Sequence, residues 1–92
     1  MLAVKAADIR DAKLRDEALR AAKSAVLNVA EGAGRVTRAD KARAFTIARG
    51  EGLEAFAALE TAALVGDAAA AHVERALPIA QRLYALLTGL LR

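Results

Sequence analysis

No proline or glycine interrupts residues 2–31 of this 92-residue chain, and Pro78 is the only proline in the sequence. Proline and glycine are the residues that most disfavour a helix interior, and alanine, which recurs throughout, favours it most. The chain is 57% apolar yet 3% aromatic, because alanine supplies much of the apolar count. The fold class expected is all-α: an up-and-down antiparallel helical bundle of three long helices, with or without a short fourth at the N-terminus, in a single domain over residues 1–92.

The helices can be placed from their apolar stripes and breakers. Helix A covers residues 2–31, with Leu19, Ala22, Val26, Val29 and Ala30 on one side. Gly32 and Gly34 follow, where a left-handed cap and a turn are expected. Thr37 then serves as an N-cap with Asp40 three residues on, opening helix B. Helix B runs to Gly66 with Phe45, Ala48, Gly52, Phe56, Leu59 and Ala63 on one stripe, about 28 residues and roughly 42 Å long. Asp67 is the expected N-cap of helix C, and the short connection makes B and C antiparallel neighbours. Pro78 inside helix C predicts a kink near Glu74 to Pro78, or a helix that begins closer to it.

Helix C carries two apolar stripes: Val73, Leu77, Ala80, Tyr84, Leu87 and Leu91 on one side, Ile79, Leu83, Leu86 and Leu90 beside it. One stripe packs on the other helices; the second has no intrachain partner and marks an interface. A 92-residue domain folding alone buries only about 60% of its unfolded surface. With no cysteine for a disulfide and a single histidine, self-association through Ile79, Leu83, Leu86 and Leu90 is the expected source of further burial. Charges interrupt every apolar run, so neither a membrane span nor a signal peptide is expected. The absence of cysteine suits a reducing cytoplasm, the expected location.

The net charge of +3 is uneven: residues 1–49 hold 11 Lys+Arg against 6 Asp+Glu, residues 50–92 hold 3 against 5. Arg35, Arg38, Lys41, Arg43 and Arg49, opposed only by Asp40, form a basic cluster over the turn and the start of helix B. Such a cluster suits phosphate contact without sequence readout, since aromatics for base stacking are almost lacking; an ordinary solvated helix start has the same composition. Helix A adds Lys13, Arg15, Arg20 and Lys23.

Arg20, Ser24, Asn28 and Glu31 fall together on a helical wheel, away from the Val26 and Val29 stripe, either as a solvated face or as a polar seam between helices. Arg49 lies close to the Phe45 and Phe56 stripe. It is expected to pair with Glu31 or Glu60, or to extend its head to solvent. Gly50 and Gly52 in mid-helix point to close helix crossing. His72 with Asp67 and Glu74 lacks the spacing of a metal site, and no metal or cofactor is expected.

The stretch RAAKSAVLNVAEGAGR followed by FTIARGEGLEAFAALETAALVG resembles the four-helix-bundle family of 23S ribosomal RNA intervening-sequence proteins. The shared positions are Arg20, Ala21, Ala22, Ser24, Asn28, Ala30, Glu31 and Gly32, then Phe45, Ala48, Gly50, Glu54 and Gly66. Glu51 stands where the family has a small serine. Only 18 residues precede Leu19, so the family's long first helix is missing, shortened or fused with helix A. The resemblance implies a ring-like homopentamer. It also brings in members such as a basic accessory protein of diversity-generating retroelements, which associates with reverse transcriptase and nucleic acid.

The reading that follows is a non-catalytic oligomeric binding or scaffold module. Its expected partners are further copies of itself and RNA or a nucleic-acid enzyme, reached through Arg35, Arg38, Lys41 and Arg43. The rivals are a purely structural assembly protein and an enzyme or metal protein using Glu31, Glu54 or His72.

Overall fold

A computed structural model describes residues 1–92 as four helices and no strands: α1 Leu2–Ala7, α2 Ala12–Gly34, α3 Arg38–Leu64 and α4 Ala70–Leu90. Helix A of the sequence reading is therefore two helices. The break falls at Asp8–Asp11, where there is neither proline nor glycine. Asp8 adopts the left-handed conformation (φ 49°, ψ 59°) and donates its N–H to the Lys5 carbonyl. Aspartate tolerates this backbone better than most residues. Asp11 then caps α2, its Oδ1 accepting from the Leu14 N–H at 2.8 Å. Between the two, Ile9 is completely buried. A short helix, α1, thus precedes α2 and is separate from it.

Other boundaries hold or shift for identifiable reasons. Thr37 caps α3 as expected, accepting from the Asp40 N–H at 3.2 Å. Gly32 and Gly34 do not form a left-handed stop. Both remain helical, and α2 ends at Arg35 in an extended conformation (φ −78°, ψ 150°). The carbonyls exposed there are met by the Lys41 ammonium, which donates to Gly32 O at 3.2 Å and Ala33 O at 3.3 Å. Gly66 does adopt positive φ (82°) at the α3–α4 turn. Asp67 is not the cap of α4; that position is Ala69, with no side-chain cap bond. The Asp67 carbonyl instead accepts from the Arg10 N–H at 3.0 Å, tying the α1–α2 connection to the α3–α4 turn. Helix α4 extends through Pro78, beginning eight residues before it, so it does not start near the proline.

Contacts between helices establish the antiparallel order. Arg20, early in α2, reaches Glu51 and Glu54 on α3, whereas Gly32 near the end of α2 meets Phe45 near the start of α3. On the other side Gly52 faces Leu83, and Arg49 faces Thr88. Helix α3 is therefore the central element, flanked by α2 and α4. No Cα of α2 comes within 8 Å of one in α4. Helix α1 bridges one end of the gap by touching all three long helices.

The core beneath is thin. Val4, Ile9, Phe45, Leu59 and Leu87 are the only buried side chains larger than alanine; the rest of the core is alanine, and no charged or polar side chain is buried. Small side chains let helices α2 and α3 lie close along their length but leave little volume to bridge wider gaps. No helix is long and apolar enough to cross a membrane.

Candidate functional site

The gap between α2 and α4 is an apolar groove. Its floor is Gly52, Ala55, Phe56 and Leu59 of α3, and its walls are Ala22, Ala25, Val26 and Val29 of α2 and Ala76, Ile79, Ala80 and Leu83 of α4. Met1, Ala3 and Val4 close one end. The groove's volume is about 300 Å³, at the low end of volumes that hold a ligand or a partner's side chains. It exists because so many lining residues are alanine or glycine: with no Cα of α2 within 8 Å of one in α4, the short side chains on the facing walls leave the space between them unfilled. Val29 also borders a second depression toward the α2–α3 turn, lined by Phe45, Ala42, Leu90 and Leu91 with Arg38 and Lys41 at its edge.

The groove divides the interface stripe expected on helix C. Ile79 and Leu83 form its wall, Leu83 half-buried, while Ile79, Leu86 and Leu90 are 58%, 62% and 59% exposed. Leu90 also borders the second depression. Leu87, from the other stripe, packs with Phe45 and Ala48.

The polar stripe of α2 splits into separate contacts. Arg20 spans to α3, with Nη1 at 3.1 Å from Glu51 and Nη2 at 2.9 Å from Glu54. Asn28 Nδ2 donates to the Ser24 carbonyl at 2.9 Å and lies 3.3 Å from its hydroxyl. Glu31 pairs with Arg35 one turn on. Hydrogen bonding to Glu31, and then its charge, raises the Arg35 pKa above its ordinary value. Of the stripe, Arg20 alone bonds to α3; Ser24, Asn28 and Glu31 find their partners along α2 and at its C-terminal end.

Arg49 finds no carboxylate, neither Glu31 nor Glu60. It faces α4, where its Nη1 donates to Thr88 Oγ1 at 3.2 Å and its guanidinium sits 5.5 Å from the centre of the Tyr84 ring. The half-buried cation is accommodated by a hydroxyl and the negative face of an aromatic ring. The close crossing expected at the paired glycines occurs at one of them. A Cβ on Gly52 would lie 3.2 Å from Leu83, whereas Gly50 faces open space.

Three of the four candidate nucleic-acid-binding cations have intrachain bonds. Arg35 binds Glu31, Lys41 caps the end of α2, and Arg38 donates to the Arg92 carbonyl at 3.3 Å. Arg43 is exposed and makes no side-chain hydrogen bond or ion pair. Among the residues of the enzyme reading, Glu31 and Glu54 are in ion pairs and His72 Nδ1 lies 2.8 Å from Arg75. No three His, Asp or Glu side chains converge as metal ligands would.

Sequence reasoning missed the groove, since it is formed by the spacing between α2 and α4. The signal available was the alanine and glycine content of the facing stripes.

The fold and its open apolar side define a small four-helix, all-α protein with an unfilled inter-helix groove. The family model described as 23S rRNA-intervening sequence protein matches residues 3–89, and the chain belongs to that family. The match extends beyond the motif region to α1 and most of α4. No curated protein and no solved structure shows significant similarity to the chain.

Proposed function

We propose that this chain is a non-catalytic helical module that works by self-association, its copies joining along the exposed aliphatic side of α4. The observation that carries this reading is the mismatch between a core with five side chains larger than alanine and the exposure of Leu86 and Leu90 on α4, beyond the groove. An apolar row of this kind loses little by meeting a copy and removes from water surface the monomer cannot cover. The family resemblance favours a five-membered ring, and the absence of cysteine favours the cytoplasm as its location.

Light scattering coupled to size exclusion tests the reading. The wild-type chain is expected to run as an oligomer at micromolar concentration, and Leu86→Glu with Leu90→Glu to run as a monomer with unchanged helicity. A monomeric wild type overturns it.

A second reading, contact with an RNA backbone, draws on Arg35, Arg38, Lys41 and Arg43. They lie at the α2–α3 turn and along the first turns of α3, with Asp40 as the only acid between residues 35 and 43. Repetition around a symmetry axis sums their field. Labelled single-stranded RNA is expected to bind at low salt and to be released as salt rises. Undetectable binding at low salt removes this reading and leaves the first standing.

A further inference from the structure

The apolar groove and its rims describe a ligand more closely than the α4 row does. On the two walls, the charged residues one helical turn from a lining residue are Lys23, three before Val26, and Arg75 and Arg82, either side of Ile79. All three are exposed cations, and none is in an ion pair. The walls are helices whose backbone groups are already bonded, so an extended chain would find no main-chain partners there; a helix brings its own bonds satisfied. The trough already seats one helix in this way, since α1 lies across its end with Val4 and Ala7 buried.

We propose that the groove binds an amphipathic helix of another polypeptide, its aliphatic stripe inserted between α2 and α4 and flanked by acidic residues that meet Lys23, Arg75 and Arg82. A copy of this chain fits less well. Its own exposed aliphatic helix, α4, would bring Arg75 and Arg82 against the same cations. The proposal extends the reading as a binding module but does not depend on self-association, which is assigned to the part of α4 beyond the groove around Leu86 and Leu90.

Two synthetic helical peptides test it, sharing one leucine stripe at helical spacing and flanked in one by glutamate, in the other by lysine. The glutamate peptide is expected to bind at one per chain, in wild type and in the Leu86→Glu, Leu90→Glu variant alike. Its Kd is expected to be about tenfold lower than that of the lysine peptide, the sum of a few exposed charge pairs. Arg75→Glu with Arg82→Glu, both surface changes, is expected to erase or reverse that preference. Val26→Glu with Ile79→Glu, at positions more than half exposed, is expected to abolish binding with the circular dichroism spectrum unchanged.

Equal binding of both peptides, or binding that survives the Val26 and Ile79 changes, overturns the proposal. So does a wild type whose groove is closed to both peptides while the Val26 and Ile79 changes dissociate its oligomer, which would make a second copy the occupant. Displacement of a bound glutamate peptide by dodecanoate at equal concentration likewise overturns it, assigning the groove to alkyl chains.

Discussion

Gly32 shows how much one hydrogen atom matters in this fold. A Cβ at that position would lie 2.6 Å from Phe45 Cε1 and 2.8 Å from Cδ1, and Phe45 is itself buried against Ala48 and Leu87 with little room to turn away. Gly32→Ala is expected to lower stability by about 1–2 kcal/mol, overpacking outweighing the gain in helix propensity. Gly34→Ala, with nothing within 4 Å, is expected to cause no loss in the same urea titration. Arg20 belongs to the same scale. Its side chain is 57% exposed, so Arg20→Ala is expected to cost about 0.5–1 kcal/mol despite two carboxylate partners, and less at high salt. The AEGAGR stretch looked in sequence like a helix stop because glycine pairs usually are. That Gly32 serves an aromatic contact instead depends on Phe45, 13 positions away, and no local pattern announces it.

At the scale of the element, caps and propensities account for most of what was legible. Thr37 and Asp40 marked the start of α3 because the cap bond is local, spanning three residues. Asp11 was equally local yet went unread, since nothing before it broke the helical pattern. Asp11→Ala is expected to cost about 1 kcal/mol, read as a lower midpoint of thermal unfolding. Gly50 sits mid-helix in open space, so Gly50→Ala is expected to stabilise by about 0.5–1 kcal/mol. Gly52→Ala is expected to gain less, because Leu83 must shift to admit the methyl group. Arg49 marks where element-level reading stops. The wheel placed it near the apolar stripe correctly, but its partners, Thr88 and Tyr84, lie on a helix whose rotational setting a wheel does not supply.

For the whole molecule, the governing fact is that the two long neighbours of α3 lie too far apart for any of their Cα atoms to come within 8 Å of each other. Filling the space between them is expected to stabilise the monomer. Ala80→Leu, on the wall at a half-buried position, is expected to add about 1 kcal/mol as its new methylene groups leave water, measured by urea unfolding. The same change is expected to weaken the glutamate peptide, because both compete for one volume. A substitution that stabilises the fold while reducing binding is the behaviour of an unfilled site, whereas a structural flaw would show gain without loss.

By itself the sequence determined the helical class, the positions of α3 and the α3–α4 turn, the amphipathic faces and the family. These depend on propensity, short-range capping and residue spacing, which act within a few turns of chain. The tertiary structure alone decided the break at Asp8–Asp11, the contact of Gly32 with Phe45, the partners of Arg49, and the opening between α2 and α4. Each of these depends on how far apart and at what rotation two helices lie, a balance struck by alanine packing along α3 and by α1 bridging one end. Helix spacing is set by the sum of many small side-chain contacts across the chain, and that sum becomes definite only when the helices are assembled.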